Sequence, residues 1–209
     1  MPNFGKILLA AASLTLLWFA VPNFLAAVWM ATGDPTYRDI AAGKQLTFQE
    51  IETFIESREQ AIALTNSAKA ATDLGAAYIA LGLSPENLEK AIKSVRSGIE
   101  LAPMNAFAWQ RLAGLLAVAT DSEAEAVSAW KTARQLAEYD TFLFYDRIRI
   151  GIQLYRAMAP QDRQILVQDI ERAYAKNRNA LRTYARRANL LEWMKFLLRD
   201  EEKTAFFSA

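Results

Sequence analysis

Glutamates recur along two stretches of the chain, and they are the first residues whose chemistry could be catalytic. Glu52, Glu56 and Glu59 share one face of a predicted helix, and Glu123 and Glu125 form a second acidic group. A carboxyl group acts as a general acid near neutral pH only where its surroundings raise its pKa. No apolar residues single out these glutamates, so we interpret both groups as solvated helix faces.

Histidine and cysteine are absent from all 209 residues. A histidine general base, a Ser-His-Asp triad, a thiol nucleophile, a disulfide and a zinc-finger ligand set are therefore excluded. The 8 glycines are scattered and form no phosphate-binding loop. We accordingly expect a protein that is not an enzyme and that uses no cofactor or metal.

Positive charge is concentrated toward the end of the chain. Residues 34–140 carry 10 Lys/Arg against 15 Asp/Glu, whereas residues 141–209 carry 13 against 8. The densest basic stretch places Arg178, Arg182 and Arg186 on one stripe of a predicted helix. This stripe could bind phosphates or an acidic partner, or it could be a solvated face with ion pairs within the helix. The net charge of +1 argues against nucleic acid as the partner.

An uncharged apolar run extends from Ile7 to Ala31. As a helix, its 25 residues would be about 37 Å long at about 1.5 Å per residue, enough to cross a hydrocarbon core of about 30 Å. We predict a membrane anchor that is kinked at Pro22. A signal peptide cleaved before Asp34 is the rival interpretation, although the run exceeds a typical h-region of about 7–15 residues. A buried core helix is the third.

The charges beside this run barely indicate its orientation. Lys6 precedes the run, and Arg38 and Lys44 follow it. The signal-like amino terminus favours a short cytoplasmic tail and an exported body.

Helix start signals punctuate the rest of the chain. Thr47 and Glu50 form a capping box, and Ser84 precedes a proline that suits the first turn of a helix. No segment alternates with a period of two between turn signals, so we predict an all-α protein without a sheet. Later helices are predicted to start at caps Asn105 and Asp121 and to occupy about 141–157, 160–176 and 179–199.

Two adjacent segments carry small and aromatic residues at the spacing of a helical repeat. They are Leu74-Gly75-x-x-Tyr78, Ala91-x-x-x-Val95-x-x-Gly98 and Pro103, then Trp109-x-x-Leu112-Ala113 and Ala126-x-x-x-Trp130. Over about residues 67–138, the chain therefore resembles the tetratricopeptide (TPR) repeat family. An unrelated α-helical bundle shares many such Ala and Leu positions and is the alternative.

This resemblance, together with the apolar run, implies an all-α fold. An N-terminal transmembrane helix is followed by a TPR-like α-solenoid of antiparallel helix pairs with C-terminal capping helices. Gly75 and Gly98 are expected at close contacts between paired helices. The expected divisions are an anchor or signal peptide at 1–31, a juxtamembrane linker at 32–46, a TPR-like domain at 47–199 and a tail at 200–209. For the tail, disorder, packing on the fold and a role as a docking peptide stay open.

TPR arrays bind other proteins on a concave face lined by the first helix of each pair. The register implied by the resemblance places six residues on or beside that face: Lys69, Thr72, Ala76, Phe107, Gln110 and Arg111. Phe107 is the sharpest candidate, since an aromatic side chain there would supply a buried anchor for a partner segment. Packing of Phe107 in the core is the alternative.

A second and looser resemblance covers about residues 105–199. The helices Ala108-Trp109-x-x-Leu112-Ala113 and Arg147-Ile148-Arg149-Ile150-Gly151 resemble those of TPR-like accessory proteins of bacterial surface-polysaccharide assembly. The two resemblances imply a non-enzymatic scaffold that binds other proteins of an envelope complex. It would be a single-pass bacterial inner-membrane protein with a periplasmic soluble domain. A permanent structural subunit of a larger membrane complex is the alternative, followed by a helical domain that binds a small ligand or acts as an enzyme.

Overall fold

A computed structural model describes residues 2–208, with side chains for Lys6, Leu8, Leu9 and residues 11–208. Every element in this range is an α-helix, as the sequence predicts. The chain divides into two compact units, unit 1 (Met1–Pro103) and unit 2 (Met104–Ala209), and this boundary falls inside the single domain expected at 47–199. Met1 of the expected anchor and Ala209 of the expected tail lie outside the described residues.

Unit 1 contains four helices and unit 2 contains six over the described range. The helices of unit 1 are α1 (Pro2–Ala41), α2 (Phe48–Thr65), α3 (Ala68–Ala80) and α4 (Pro85–Leu101). The helices of unit 2 are α5 (Ala106–Leu116), α6 (Glu123–Leu136), α7 (Thr141–Gln153), α8 (Pro160–Arg187), α9 (Leu191–Leu198) and α10 (Glu201–Ser208).

Capping side chains explain where several helices begin. The Thr47 hydroxyl accepts from the Glu50 amide and the Glu50 carboxylate accepts from the Thr47 amide, which confirms the predicted capping box of α2. Ser84 caps α4 in the predicted way. The predicted cap at Asp121 is wrong, because Asp121 has a left-handed φ of 55° and an N-cap needs extended backbone. Helix α6 begins instead at Glu123, without a side-chain cap.

Helix α1 extends past the apolar run into the segment where the sequence predicts a linker. It is helical through Ala41 and contains both Pro22 and Pro35, each of which removes one backbone hydrogen-bond donor. Apolar burial compensates, because the last turns of α1 pack on α2 through Tyr37, Ile40, Ile51 and Phe54. Within the described residues, α1 is the one helix long and apolar enough to cross a membrane.

Two glycines mark close approaches between helices in unit 1. A Cβ atom on Gly33 of α1 would collide with the side chain of Phe54 on α2, at 2.9 Å. A Cβ atom on Gly98 of α4 would lie 3.0 Å from the carbonyl oxygen of Ala68 on α3. The close contact predicted at Gly98 is thereby confirmed. Gly75 is buried in α3, and its close contact stays a prediction.

Trp130 joins three helices of unit 2. Its side chain is fully buried, and its Nε1 donates to the carbonyl oxygen of Arg147 on α7 over 2.9 Å. Gly151, one turn further along α7, leaves the space that the indole needs. A Cβ atom there would lie 3.2 Å from Trp130 Nε1 and 2.7 Å from Leu166 Cδ1 on α8.

One of the breaks between the last helices is where the sequence predicts it, and a second break is not predicted. Helix α8 runs through the expected gap between 176 and 179, but Asn177 has non-helical backbone angles, φ −160° and ψ 87°, so a break is present there. The single helix predicted at 179–199 is wrong. The chain leaves α8 after Arg187, and Asn189 has a left-handed φ of 57°, which asparagine tolerates better than most residues.

The tail, which is described as far as Ser208, packs on the rest of unit 2. Residues 201–208 form α10, in which Phe207 is buried. The ring of Phe206 lies edge-on to Tyr174 of α8 at 5.5 Å. Of the three outcomes that the sequence leaves open for the tail, packing on the fold is the one observed.

Candidate partner-binding face

The six residues predicted to line a binding face divide equally between the two units. Helix α3 of unit 1 carries Lys69, Thr72 and Ala76, and helix α5 of unit 2 carries Phe107, Gln110 and Arg111.

The α3 residues are largely engaged inside unit 1. Lys69 is exposed, but its Nζ lies 2.8 Å from Asp73 and its ammonium sits over the ring of Tyr37, 5.2 Å from the centroid. Thr72 is buried, and its hydroxyl donates to the Ala68 carbonyl oxygen over 2.9 Å at the contact with α4. Ala76 is half-buried and presents a single methyl group. These three side chains offer a partner little free polar or apolar surface.

Phe107 is a surface residue, whereas Gln110 is not. The Phe107 side chain is 54% exposed, so it does not belong to the core of unit 2. Gln110 is buried, and its Nε2 donates to Asp146 Oδ2 of α7 over 3.3 Å. Arg111 is half-buried.

Helix α7 lies beside α5 and runs in the same direction. Gln110 contacts Asp146, and one turn further along both helices a Cβ atom on Gly114 would be 3.4 Å from Ile150 Cδ1. Phe142 precedes Asp146 by one turn, as Phe107 precedes Gln110. The Phe142 side chain is 87% exposed. We call this surface the α5–α7 face and define it by Phe107, Gln110, Phe142, Asp146 and Arg149.

The sequence does not predict Phe142 as a binding residue, because the repeat pattern around it is weak. The third helical pair departs from the repeat pattern, so no register marks Phe142 as a surface residue. The available signal is local: Asp140 caps α7 by accepting from the Phe142 amide over 2.9 Å, which fixes Phe142 in the first turn. The sequence does not show that α7 packs beside α5, which is what brings Phe142 to the helix next to that of Phe107.

A row of polar groups continues along the α5–α7 face. Arg149 donates from Nε to Asp146 Oδ1 over 2.8 Å, and it also hydrogen-bonds with Tyr184 of α8. Burial, followed by the charge of Asp146, raises the pKa of Tyr184, so its hydroxyl stays protonated through the physiological range. The row therefore offers fixed donors and acceptors rather than a group that titrates near neutrality.

Gln110 contributes a buried acceptor that lacks a donor. Its Oε1 is inaccessible to solvent and accepts no hydrogen bond within the described part of the chain. The orientation of the amide follows from chemistry, because only its NH2 group can donate to the Asp146 carboxylate. A buried acceptor without a donor costs free energy, so this oxygen lowers the stability of unit 2 and is not part of the accessible surface.

Behind the face, unit 2 holds a fully buried ion pair. Arg147 Nε donates to Asp169 Oδ2 over 2.9 Å, and the other Arg147 nitrogens donate to the carbonyl oxygens of Ala137 and Glu138. Arg134 Nε donates to the second Asp169 oxygen over 3.1 Å. Every strong partner here is internal, so this cluster fixes α6, α7 and α8 rather than binding a ligand.

The basic stripe of α8 contacts the tail at two of its three arginines. Arg178 and Arg182 lie over the ring of Phe206, at 5.3 and 4.6 Å from the centroid. Arg182 also donates to the Phe206 carbonyl oxygen over 3.2 Å. Arg178 and Arg186 are exposed, so the stripe remains largely a solvated face, and binding of phosphates or an acidic partner stays a prediction.

The acidic face predicted on α2 is exposed, as expected for solvated carboxylates. Glu52, Glu56 and Glu59 are all exposed. Glu59 accepts a hydrogen bond from the Tyr78 hydroxyl over 3.4 Å, and burial, then the Glu59 charge, raises the Tyr78 pKa.

An open groove in unit 2 is the feature most relevant to a small ligand. It has a volume of about 430 Å³ and lies between α8 and the end of α9, beside Tyr155, Arg163 and Arg199. Arg163 already donates to the carbonyl oxygens of Tyr155 and Arg156. Arg163 is thereby held by the fold, and the groove is open to solvent, whereas small-ligand sites are enclosed.

Metal binding finds no support in the geometry of residues 2–208, where no three Asp or Glu side chains converge on a point. No family model matches the chain, and no curated protein matches it.

Proposed function

We propose that this protein is a non-enzymatic interaction scaffold, tethered to a bacterial inner membrane by α1, that helps to assemble an envelope complex. The observation that carries the proposal is the pair of exposed phenylalanines, Phe107 on α5 and Phe142 on α7. Aromatic side chains dominate the energetics of many protein interfaces. Exposed aromatic rings on neighbouring helices are unfavourable in water and mark a surface that binds another molecule.

The chemistry of the α5–α7 face suits a segment of another protein. An apolar side chain of that segment would cover the two phenylalanine rings and remove them from water. Arg149 and Asp146, which are partly exposed, would supply polar contacts at the rim. Protein segments carry all of these groups, whereas a small ligand needs an enclosed pocket.

The helix arrangement of unit 2 supports a repeat-like scaffold. Helices α5 and α7 lie side by side, and α6 and α8 are joined behind them. Lys131 of α6 lies 2.9 Å from Asp162 of α8, and Arg134 lies 3.1 Å from Asp169. One helical hairpin is the unit of a TPR array, and the array forms when such hairpins stack, as the two hairpins of unit 2 do. A role in surface-polysaccharide biosynthesis or export, with the soluble part in the periplasm, rests on the resemblance alone.

The test is capture of partners from native membranes by the full-length protein. Partners captured by the wild type are compared by mass spectrometry with those captured by Phe107→Ala and Phe142→Ala. The matched control is Phe48→Ala, which removes an exposed phenylalanine from α2 of unit 1. Loss of the same partners in both unit 2 variants, with melting temperatures unchanged and Phe48→Ala unaffected, supports the proposal. Retention of all partners by a variant that carries both Phe107→Ala and Phe142→Ala overturns the proposal.

The alternative of a permanent subunit predicts a different result in the same experiment. A permanent partner is stoichiometric and does not exchange with labelled competitor during the capture. A scaffold releases its partner when an excess of soluble unit carrying the α5–α7 face is added, because binding is then at equilibrium.

A further inference from the structure

The contacts between α1 and α2 determine which part of the proposed anchor helix is packed on the rest of unit 1 and which part is not. Ala26 of α1 packs in one cluster with Ala61 of α2, and Met30 accepts from Arg58 through its carbonyl oxygen over 2.7 Å. Further along α1, the ring of Tyr37 stacks on Phe54. Positions rise along α1 as they fall along α2, so the two helices are antiparallel.

The end of α2 consequently lies level with the middle of the apolar run. Helix α2 continues one turn past Ala61 and ends at Thr65. One turn before Ala26 along α1 is Pro22, which is half-buried, whereas Val21 and Asn23 are exposed. The tip of the α2–α3 hairpin therefore reaches about the level of Pro22.

The free part of α1 is too short to cross a bilayer by itself. Residues 7–21 contain 15 residues, which as a helix span about 22 Å at about 1.5 Å per residue. The hydrocarbon core is about 30 Å thick, so the span lacks about 8 Å, or roughly five residues. Lys6 ends the uncharged run on the other side. The missing residues are therefore those from Pro22 to Ala26, which lie alongside the last turn of α2.

The composition of the hairpin tip agrees with this depth. No residue from Gln60 to Ala68 is charged. At the same end of unit 1, Leu101 closes α4 with a side chain that is 50% exposed. Gly98 of α4 faces Ala68, which places the end of α4 beside the hairpin tip. The opposite end of unit 1 carries charge on several helix starts, at Lys44, Glu50, Glu52, Glu86 and Glu89.

We propose that the α2–α3 hairpin tip, residues 60–68, lies at the boundary between the lipid headgroups and the hydrocarbon core and forms a second lipid contact beside α1. This inference rests on the proposed membrane anchoring by α1. The occupant of the surface is the lipid interface, because the helix that enters the bilayer is the one on which the tip is packed. Unit 1 is then held against the membrane in one orientation, with no flexible linker.

The absence of cysteine allows a direct test of depth. Single cysteines replace three exposed residues in the full-length chain: Leu17 in the free part of α1, Ala63 in the last turn of α2 and Gln49 in its first turn. Each variant is labelled with bimane and reconstituted into vesicles of phosphatidylcholine and phosphatidylglycerol. Quenching is measured with nitroxide on the lipid headgroup, with nitroxide deep in the acyl chain, and with aqueous iodide.

The expected quenching pattern tests membrane anchoring by α1 separately from the lipid contact of the hairpin tip. The Ala63 label should be quenched several-fold more by the headgroup nitroxide than the Gln49 label, which iodide should quench instead. The Leu17 label should respond to the deep nitroxide. If the Leu17 label is quenched by iodide alone, the anchoring itself fails. If Leu17 is deep but Ala63 behaves like Gln49, α1 anchors the chain and the proposed lipid contact is overturned. Circular dichroism and melting of each variant confirm that the label reports on the folded protein.

Discussion

Arg58 of α2 donates from Nη2 to Asp34 Oδ1 of α1 over 2.8 Å. The Arg58 side chain is fully buried, and its Nε lies 3.2 Å from the carboxylate of Asp73 on α3, which is buried too. The same guanidinium donates to the Met30 carbonyl oxygen. One side chain therefore joins three helices of unit 1, and one of them carries the proposed anchor. A charge so deeply placed is tolerated because its hydrogen-bonding groups find acceptors.

Replacement of Arg58 by methionine should destabilise unit 1 strongly. The variant removes the guanidinium from the buried Asp73 carboxylate, which still lies 2.8 Å from the exposed Lys69. Removal of one partner from a buried pair costs about 3–5 kcal/mol. Denaturant unfolding in detergent measures the change, and Lys93→Met, at an exposed site on α4, is the control. An Arg58→Met protein as stable as the control would show that the ion cluster contributes nothing to folding.

Gly98→Ala should destabilise the α3–α4 hairpin, although alanine favours helix. The added Cβ would lie 3.0 Å from the Ala68 carbonyl oxygen and 3.1 Å from the Thr72 nitrogen, and backbone cannot move aside cheaply. Overpacking of this kind costs about 1–3 kcal/mol. Gly114→Ala is the matched control, because its Cβ would meet Ile150 at an ordinary 3.4 Å, and it should leave the melting temperature equal or higher. Equal melting of the two variants would contradict the close contact.

Glu138 should make unit 2 sensitive to acid. The hydrogen bond from Arg172 is the main cause that lowers the Glu138 pKa from its ordinary 4.5, and the charge of Arg134 lowers it further. A carboxyl group with a lowered folded pKa stabilises the fold above its unfolded pKa, and the benefit disappears as pH falls through the folded value. Glu138→Gln should therefore melt below wild type at pH 7, and the difference should shrink as pH falls below 4.5. Melting curves across pH test this, with Glu123→Gln as the control for loss of a glutamate on α6.

Residues 1–33 should remain attached to the mature protein. Cleavage before Asp34 would remove Ala26, Met30 and Gly33, which cover buried surface of α2 and α3. That surface would then be exposed to water, at a cost of about 25 cal/mol for each Å². Intact-mass analysis of membrane-extracted protein measures the outcome, together with resistance to carbonate extraction. A soluble chain that starts at Asp34 would establish the signal peptide instead.

Local signals in the sequence predict the helices well, because they depend on neighbouring residues. The capping box at Thr47, the Ser84-Pro85 start and the break near Asn177 are all set within one or two turns. Asp121 shows the limit of such reasoning. Its side chain suits a cap, but the turn between α5 and α6 holds its backbone in the left-handed region.

The candidate site also contains one residue that the sequence predicts and one that it does not. Phe107 is predicted from the repeat register, and it is exposed on α5. Phe142 is not predicted, because the position of α7 beside α5 depends on contacts such as that between Gln110 and Asp146, which are 36 residues apart. The exposed position of Phe142 and the buried position of Thr72 are likewise products of helix packing.

The sequence by itself determines an all-α chain with one uncharged apolar helix, and it excludes chemistry that requires histidine or cysteine. These properties follow from composition and from spacing within single helices. Tertiary structure alone decides that the segment after the apolar run stays helical and is fastened by Arg58, that the tail packs against Arg182 of α8, and that Phe107 and Phe142 are exposed on adjacent helices. The reason is that an arginine, a tail or an exposed ring acquires its role from partners distant in the chain, and the free energy of burying those partners together outweighs local preference.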